Sequence, residues 1–380
     1  MDLTIGVHSM APVGGTELNV FQVARGLAQR GHTIDMVAAR DGALAIEYRT
    51  FCRSVTRRPV FDFARSSALR DLARMTPAVL SAARKKPDVV YPNRFAEIVW
   101  AAAVGRLSGA PVVCHLHEIR HARPGSFPND HVRRFIAVSE FLRSQWVAAG
   151  LNQDQIDVVH NGVSCDDYPA GGEVERAEAR ACLGLPQEGF IALYYGRLDP
   201  EKGIDVLLEA WAKLGIAGTQ GRLLVVGSPS AHLHDGPGFL RELQAGAPPG
   251  CVWLPAQSNV VLPLHAADVV VVPSLWAEPF GRVIVEAFAT GRPVLASRIG
   301  GIPEILTGEF ERFLVEPGDA ALLASGLESL VGWQQREPGL ADRCRTHVQD
   351  HFSLDRAVDG VERSLLVAAG ERRGKSATWT

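Results

Sequence analysis

A grammar of short apolar run, loop and amphipathic helix constrains this chain more than any other feature: it runs to Val163, breaks, and starts again. Leu3–Val7 is an apolar run ending at a glycine-containing loop. Glu17–Arg30 follows with Val20, Phe21, Ala24, Leu27 and Ala28 on one helical face. Gly31 is placed to stop that helix, and Thr33–Ala38 reads as the next strand. Further strands are expected at Val89–Tyr91, Val112–Leu116, Phe135–Val138 and Ile156–Val159. Residues 164–189 are rich in glycine, proline and charge and read as a linker plus a short helix. The pattern then resumes with strands at Phe190–Tyr195, Leu223–Gly227, Val252–Leu254, Val269–Pro273 and Val294–Ser297, and a helix at Gly203–Leu214. Such alternation predicts an α/β chain of two Rossmann-like domains with parallel sheets, over 1–165 and 166–352. A last helix is expected from Ser353, a candidate N-cap, to Gly370, with residues 371–380 frayed. Ligands of such sheets bind beyond the carboxyl ends of the strands, and two facing domains would hold one in the cleft between them.

Composition narrows the classes. A net charge of −3 argues against global nucleic-acid binding, which shows as excess positive charge. The six cysteines are scattered, with no Cys-x-x-Cys pair and no zinc spacing, as expected of buried thiols in a reducing compartment. MDLTIGVHSM has no basic segment before its apolar run and reads as a strand rather than a signal peptide. No apolar stretch approaches the ~18 residues of a membrane span, so a cytoplasmic location is expected. One segment departs from this balance: Arg49 to Lys86 carries ten basic residues against Asp62 and Asp71. It reads as a solvated arginine-rich surface or as a patch for a membrane surface or anionic acceptor. Pro77 interrupts its helical period and weakens the amphipathic-helix version.

Chemistry concentrates in a few loops. In residues 273–297, PSLWAEPFGRVIVEAFATGRPVLAS, Glu278 lies in a loop after a strand and Glu286 inside the following helix. Phe280 and Gly281 fall near that helix's N-terminus, where unpaired backbone N–H groups and the dipole favour an anion. The two carboxylates fit contacts to sugar and ribose hydroxyls. They also fit a glycosidase pair, or ordinary helix-start carboxylates. In residues 194–210, YYGRLDPEKGIDVLLEA, Arg197 and Lys202 follow Gly196 at a strand end, a pair of cations suited to a diphosphate. The plainer reading pairs Arg197 with Asp199 or Glu201 on a surface loop. Gly14 and Gly15 in residues 11–17 suit a phosphate cradle or simple turn chemistry, and the dinucleotide fingerprint is not met. His115 and His117 alternate along a strand end and share a face. No third metal ligand stands nearby in sequence, and no Asp-x-Asp occurs to grip a metal–diphosphate.

Together these segments resemble the retaining glycosyltransferases of family four, of GT-B fold. Matches run in order from residue 12 to about 306: GRLDPEKG at 196–203, Glu278 to Glu286 followed by GRPVLAS, GGIPEIL at 300–306, with VSEFL at 138–142 and HNGV at 160–163 in support. The resemblance implies that Arg197 and Lys202 hold the donor diphosphate. It implies that Glu278 binds the sugar hydroxyls with amides around Phe280 and Gly281, and that Glu286 binds the ribose. His117, rather than His115, would contact the transferred sugar. Gly15 and Gly196 would lie by the donor, Asn161 at the domain junction, and the last helix would return to the N-terminal domain. It implies no bound metal, no cofactor, and front-face transfer that retains anomeric configuration. Ser164, Glu118 and the EPFGR loop, residues 278–282, depart from common family variants without removing a donor group.

The expected donor is a UDP-sugar, with N-acetylglucosamine or glucose favoured. Glu17, Glu97 and Glu118 are candidate acceptor residues. Three carboxylates would suit a cationic small-molecule acceptor such as an aminocyclitol, or be plain solvated glutamates. Lysine is scarce (five) beside arginine, as in high-GC genomes, which suits antibiotic-type natural-product glycosylation or cell-envelope synthesis on a lipid acceptor. From other classes, a UDP-N-acetylglucosamine 2-epimerase shares the architecture and a non-catalytic sugar-nucleotide sensor shares the binding residues.

Overall fold

The computed structural model describes residues 1–12, 14–58, 61, 67–119, 131–215, 221–230 and 233–376. Parts of the basic stretch and the last four residues of the tail lie outside these. The chain divides into two compact units, Met1–Gly162 with Leu354–Thr380, and Val163–Ser353.

Among the described residues the first unit contains β1 (Asp2–Ser9), β2 (Thr33–Arg40), β3 (Ser54–Arg57), β4 (Val89–Pro92), β5 (Val112–Leu116), β6 (Val132–Ala137) and β7 (Ile156–Val158). They form one parallel sheet in the order β3-β2-β1-β4-β5-β6-β7. The second contains β8 (Ile191–Arg197), β9 (Arg222–Ser228), β10 (Cys251–Leu254), β11 (Val269–Val272), β12 (Val294–Ser297) and β13 (Leu314–Val315). Its order, β10-β9-β8-β11-β12-β13, repeats the first six places of the other sheet. Central strands such as β11, all valine and wholly buried, read as unbroken apolar runs because helices cover both faces of a parallel sheet.

This is the doubly wound order, and in each unit the connections diverge at one place: between β1 and β4, and between β8 and β11. Side connections leaving neighbouring strands in opposite directions open a crevice at their carboxyl ends.

Two strands were not anticipated. β3 has a single aliphatic residue, Val55, and β13 is two residues long; both are edge strands, which need no apolar pattern because one side stays unpaired. β3 also accounts for part of the basic stretch. Arg53 (2.5 Å), Ser54 (2.6 Å) and Lys85 (3.0 Å) all donate to buried Asp35. Burial pushes that carboxyl up, but these three bonds outweigh it and hold it below the usual range. The helix Ala68–Ala83 runs through Pro77 without a break, and Leu69, Leu72 and Leu80 on it are exposed. No helix among the described residues is long and apolar enough to cross a membrane.

The final helix runs Leu354–Ser376, so residues 371–376 expected to fray are helical. It belongs to the first unit. Val358, Val361 and Leu365 are at most 1% exposed there, each worth about 1.5–3 kcal/mol relative to exposure. Ser364 donates to Asp157 (2.8 Å), and Arg30 and His32 each lie 2.7 Å from Glu362.

Candidate active site

In the second unit the crevice between β8 and β11 is lined by the loops that follow those strands. Lys202 Nζ lies 2.6 Å from Glu278 Oε1, and the Ser274 hydroxyl donates to the same oxygen at 2.8 Å. The backbone holds this contact firmly. Gly203, beside Lys202, has φ +67°, and a Cβ there would lie 2.0 Å from the Pro273 carbonyl oxygen. Leu275 and Trp276 N–H groups donate to the Glu201 carbonyl at 2.9 and 3.0 Å, tying the two loops together. Gly300, at φ +63°, packs its backbone on Glu278, and Gly301 N–H donates to the Glu278 carbonyl at 2.8 Å. Only glycine accepts both the left-handed turn and that approach. Hence a cation and a carboxylate, 76 residues apart in sequence, share the crevice with little freedom.

Phe280 is buried against Phe352 (5.9 Å between ring centroids) and offers the crevice only backbone. Gly281, at φ +111°, is the N-cap of the helix Arg282–Ala289. Arg197, on the strand end with Gly196, is half exposed and pairs with Asp199 (2.7 Å) and Glu201 (3.1 Å). Asp199 is itself buried and takes the Ser230 N–H at 3.0 Å. Glu286 is enclosed: Oε1 accepts from Tyr168 (2.9 Å) and Arg282 (2.6 Å), and Oε2 from Tyr195 (2.8 Å). Burial, and then the Glu286 charge, push both tyrosine hydroxyls well up, so they remain donors.

The first unit's crevice, between β1 and β4, has a different character. Gly14 is extended (φ −162°) and Gly15 opens the helix Gly15–Gln29. His115 and His117 do share a face, their ring centroids 4.1 Å apart. His115 Nδ1 lies 2.6 Å from the Tyr91 hydroxyl, and His117 Nε2 lies 3.2 Å from Asn93 Oδ1. Asn93 Nδ2 donates to the Thr16 carbonyl at 3.4 Å, which leaves its oxygen to accept. His117 therefore carries its proton on Nε2 and presents Nδ1 as an acceptor. Burial pushes His115 down to about 3 and, with help from His115 and Arg94, His117 well below its ordinary value. Both rings are neutral at pH 7.

The three glutamates gather around Arg94. Glu118 forms an ion pair with it and is exposed. Glu97 is 1% exposed, takes the Asn93 N–H at 2.9 Å on one oxygen, and has no partner on the other. Burial pushes it up to about 8, and pushes Glu17 up as well, against the pull of Arg94 on both. Asn161, at the end of this unit, is buried with Oδ1 unpartnered. Sequence reasoning missed Ser274, Asn93, Arg94, Tyr91 and the tyrosine cage of Glu286. Ser274 at least stood where a strand hands over to its loop, the place where ligands of such sheets are met.

Known proteins match in the same terms. Residues 13–167 match the family model for Glycosyltransferase Family 4, and residues 175–344 that for Glycosyl transferases group 1. D-inositol 3-phosphate glycosyltransferase of Acidothermus cellulolyticus is 30% identical, over 95% of this chain and 87% of that protein. The protein of that name from Mycolicibacterium smegmatis is 29% identical, over 95% and 88%. Among solved structures, HepE of Anabaena in complex with UDP and glucose superposes with a TM-score of 0.81 at 23% identity, covering 97% of this chain and all of that one. Two doubly wound parallel sheets, together with these matches, make this a glycosyltransferase of GT-B fold. The chain belongs to glycosyltransferase family four.

Proposed function

We propose that this enzyme transfers a hexose, glucose or N-acetylglucosamine, from its UDP donor to a hydroxyl of a small cyclitol, with retention of anomeric configuration. The observation that carries this reading is the 2.6 Å contact between Lys202 and Glu278 at the β8/β11 crevice. It sets a point charge for a diphosphate beside an acceptor of sugar hydroxyl bonds. In the mechanism the C1–O bond to the β-phosphate breaks while an oxocarbenium-like sugar forms. The acceptor oxygen bonds to C1 on the face the phosphate leaves, and its proton passes to the departing phosphate oxygen. Lys202 and Arg197 stabilise the charge left on the diphosphate, with Arg197 released from Asp199 and Glu201. Glu278 and the backbone near Phe280 and Gly281 orient the sugar. Glu286 has three donors for about four lone-pair positions, so a ribose hydroxyl has one place left, on Oε2. His117 Nδ1 accepts from the transferred sugar.

For the acceptor, Arg94 weighs against a cation. Glu118 is spent on it, and Glu97 is largely protonated at neutral pH, so an ammonium finds little net negative charge. A cyclitol phosphate fits this arrangement better than an aminocyclitol, and the two relatives named above carry inositol 3-phosphate in their names. Thermal stabilisation by UDP, GDP, ADP and TDP tests the donor half, since a ligand bound only by the folded state raises Tm. Transfer from UDP-glucose and UDP-N-acetylglucosamine to inositol 3-phosphate or an aminocyclitol, in the presence of EDTA, tests the rest. No shift with any nucleotide would remove the donor assignment, and turnover with the aminocyclitol alone would reverse the acceptor.

A further inference from the structure

At the other end of the second sheet lies a cavity of about 520 Å³. Phe190, Asp268 and Arg292 line it, residues that lead into β8, β11 and β12. It therefore opens at the amino ends of the strands, the edge opposite to Lys202 and Glu278. Arg292 is only 4% exposed. Its Nη1 donates to the Gly171 (2.7 Å) and Thr290 (3.4 Å) carbonyls and Nη2 to the His265 carbonyl (3.0 Å), while its Nε is buried without a partner. Among the described residues no carboxylate forms an ion pair with it.

The nearby buried carboxylate, Asp268, is already saturated. It accepts from Arg176 (3.1 Å), Arg180 (2.8 Å), the Ile191 N–H (2.7 Å) and Gln334 (2.7 Å). Arg176 and Arg180 thus share one buried carboxylate and Arg292 is left without one, while Glu173 and Glu188 stand exposed at the lip. Burial pushes Arg292 down to about 10, with Arg176 and Arg180 adding to it and the charges of Asp268 and Glu175 opposing. A cation held out of water with a donor to spare is stabilised by an anion. The volume lies in the range of small-molecule sites and exceeds what a bare anion fills.

We propose that this cavity is a second small-molecule site, taking a sugar phosphate with its phosphate against Arg292 and Arg176 and its hydroxyls toward Gln334 and Gln335. The test uses ribose 5-phosphate, ribose and inorganic phosphate on the full chain, each in saturating UDP, by Tm and calorimetry. Ribose 5-phosphate should raise Tm, ribose should not, and inorganic phosphate should bind at least about tenfold more weakly. The Lys202→Ala protein should bind ribose 5-phosphate as wild type does, which separates this site from the donor site even if the UDP assignment fails. Arg292→Gln should abolish binding. Because Arg292 also holds three carbonyls, two exposed positions give variants that fold normally: Gln335→Glu should weaken binding and Glu188→Gln strengthen it, each by about 3–10-fold. Binding lost in saturating UDP or in Lys202→Ala, or indifferent to both exposed substitutions, would overturn the proposal. Equal affinity for inorganic phosphate would overturn the sugar phosphate assignment.

Discussion

The two crevices of this enzyme have the same topology and opposite chemistry. Each lies at the carboxyl end of a sheet, between the first and fourth strands of a doubly wound order. In the second unit the crevice presents ionised groups in contact, Lys202 with Glu278, and a half-exposed Arg197. In the first it presents two neutral imidazoles and a carboxyl without a partner on one oxygen, with charge suppressed by burial. The fold supplies the position and the loops supply the chemistry, so one scaffold carries a charged crevice in one copy and a largely uncharged one in the other.

Lys202→Ala should expose the difference most strongly. Transfer should fall by about 10²–10³-fold, some 3–4 kcal/mol of transition-state stabilisation, with weakened UDP binding measured by calorimetry. Unchanged kcat/KM would remove the charged crevice from catalysis. Gly203→Ala should come next. Its Cβ would meet a backbone carbonyl at 2.0 Å in a left-handed turn, so Tm should drop by the equivalent of about 2–3 kcal/mol, together with donor affinity. Full stability would mean that the loop relaxes freely, and the crevice would not be held in place as described.

In the first unit, His117→Ala should slow transfer by roughly tenfold, about 1.4 kcal/mol, with cooperative melting and unchanged UDP affinity. If His115→Ala slows transfer and His117→Ala does not, the acceptor nitrogen belongs to the other ring. The smallest effect is a pH dependence. Glu97 has a carboxyl raised from 4.5 to about 8 in the folded chain. Between those values the unfolded chain releases a proton that the folded one keeps, so this group removes stability as pH rises from about 4.5 to about 8. Glu97→Gln keeps an acceptor for the Asn93 N–H and lacks that slope. Its stability advantage over wild type should grow from pH 7 to pH 8, by on the order of 1 kcal/mol. A parallel pair of curves would show that Glu97 is ionised in the fold, and the contrast between the crevices would shrink.

What the amino-acid sequence determined by itself is what depends on local period. The strand–loop–helix alternation, the all-valine run of β11 and the chain order of elements were legible because burial on both faces imposes unbroken apolar runs. The loops after β8 and β11 were legible too, since glycines at strand ends mark where backbone turns and ligands approach. Tertiary structure alone decided which strands are neighbours. That choice joins Lys202 to Glu278 across 76 residues and encloses Glu286 with Tyr168 across 118. It also set Arg94 among three glutamates, spent Arg53 and Lys85 on Asp35, and gave Asp268 to Arg176 and Arg180. Charge pairing and desolvation act through space, over distances that a sequence period of two or 3.6 residues does not encode.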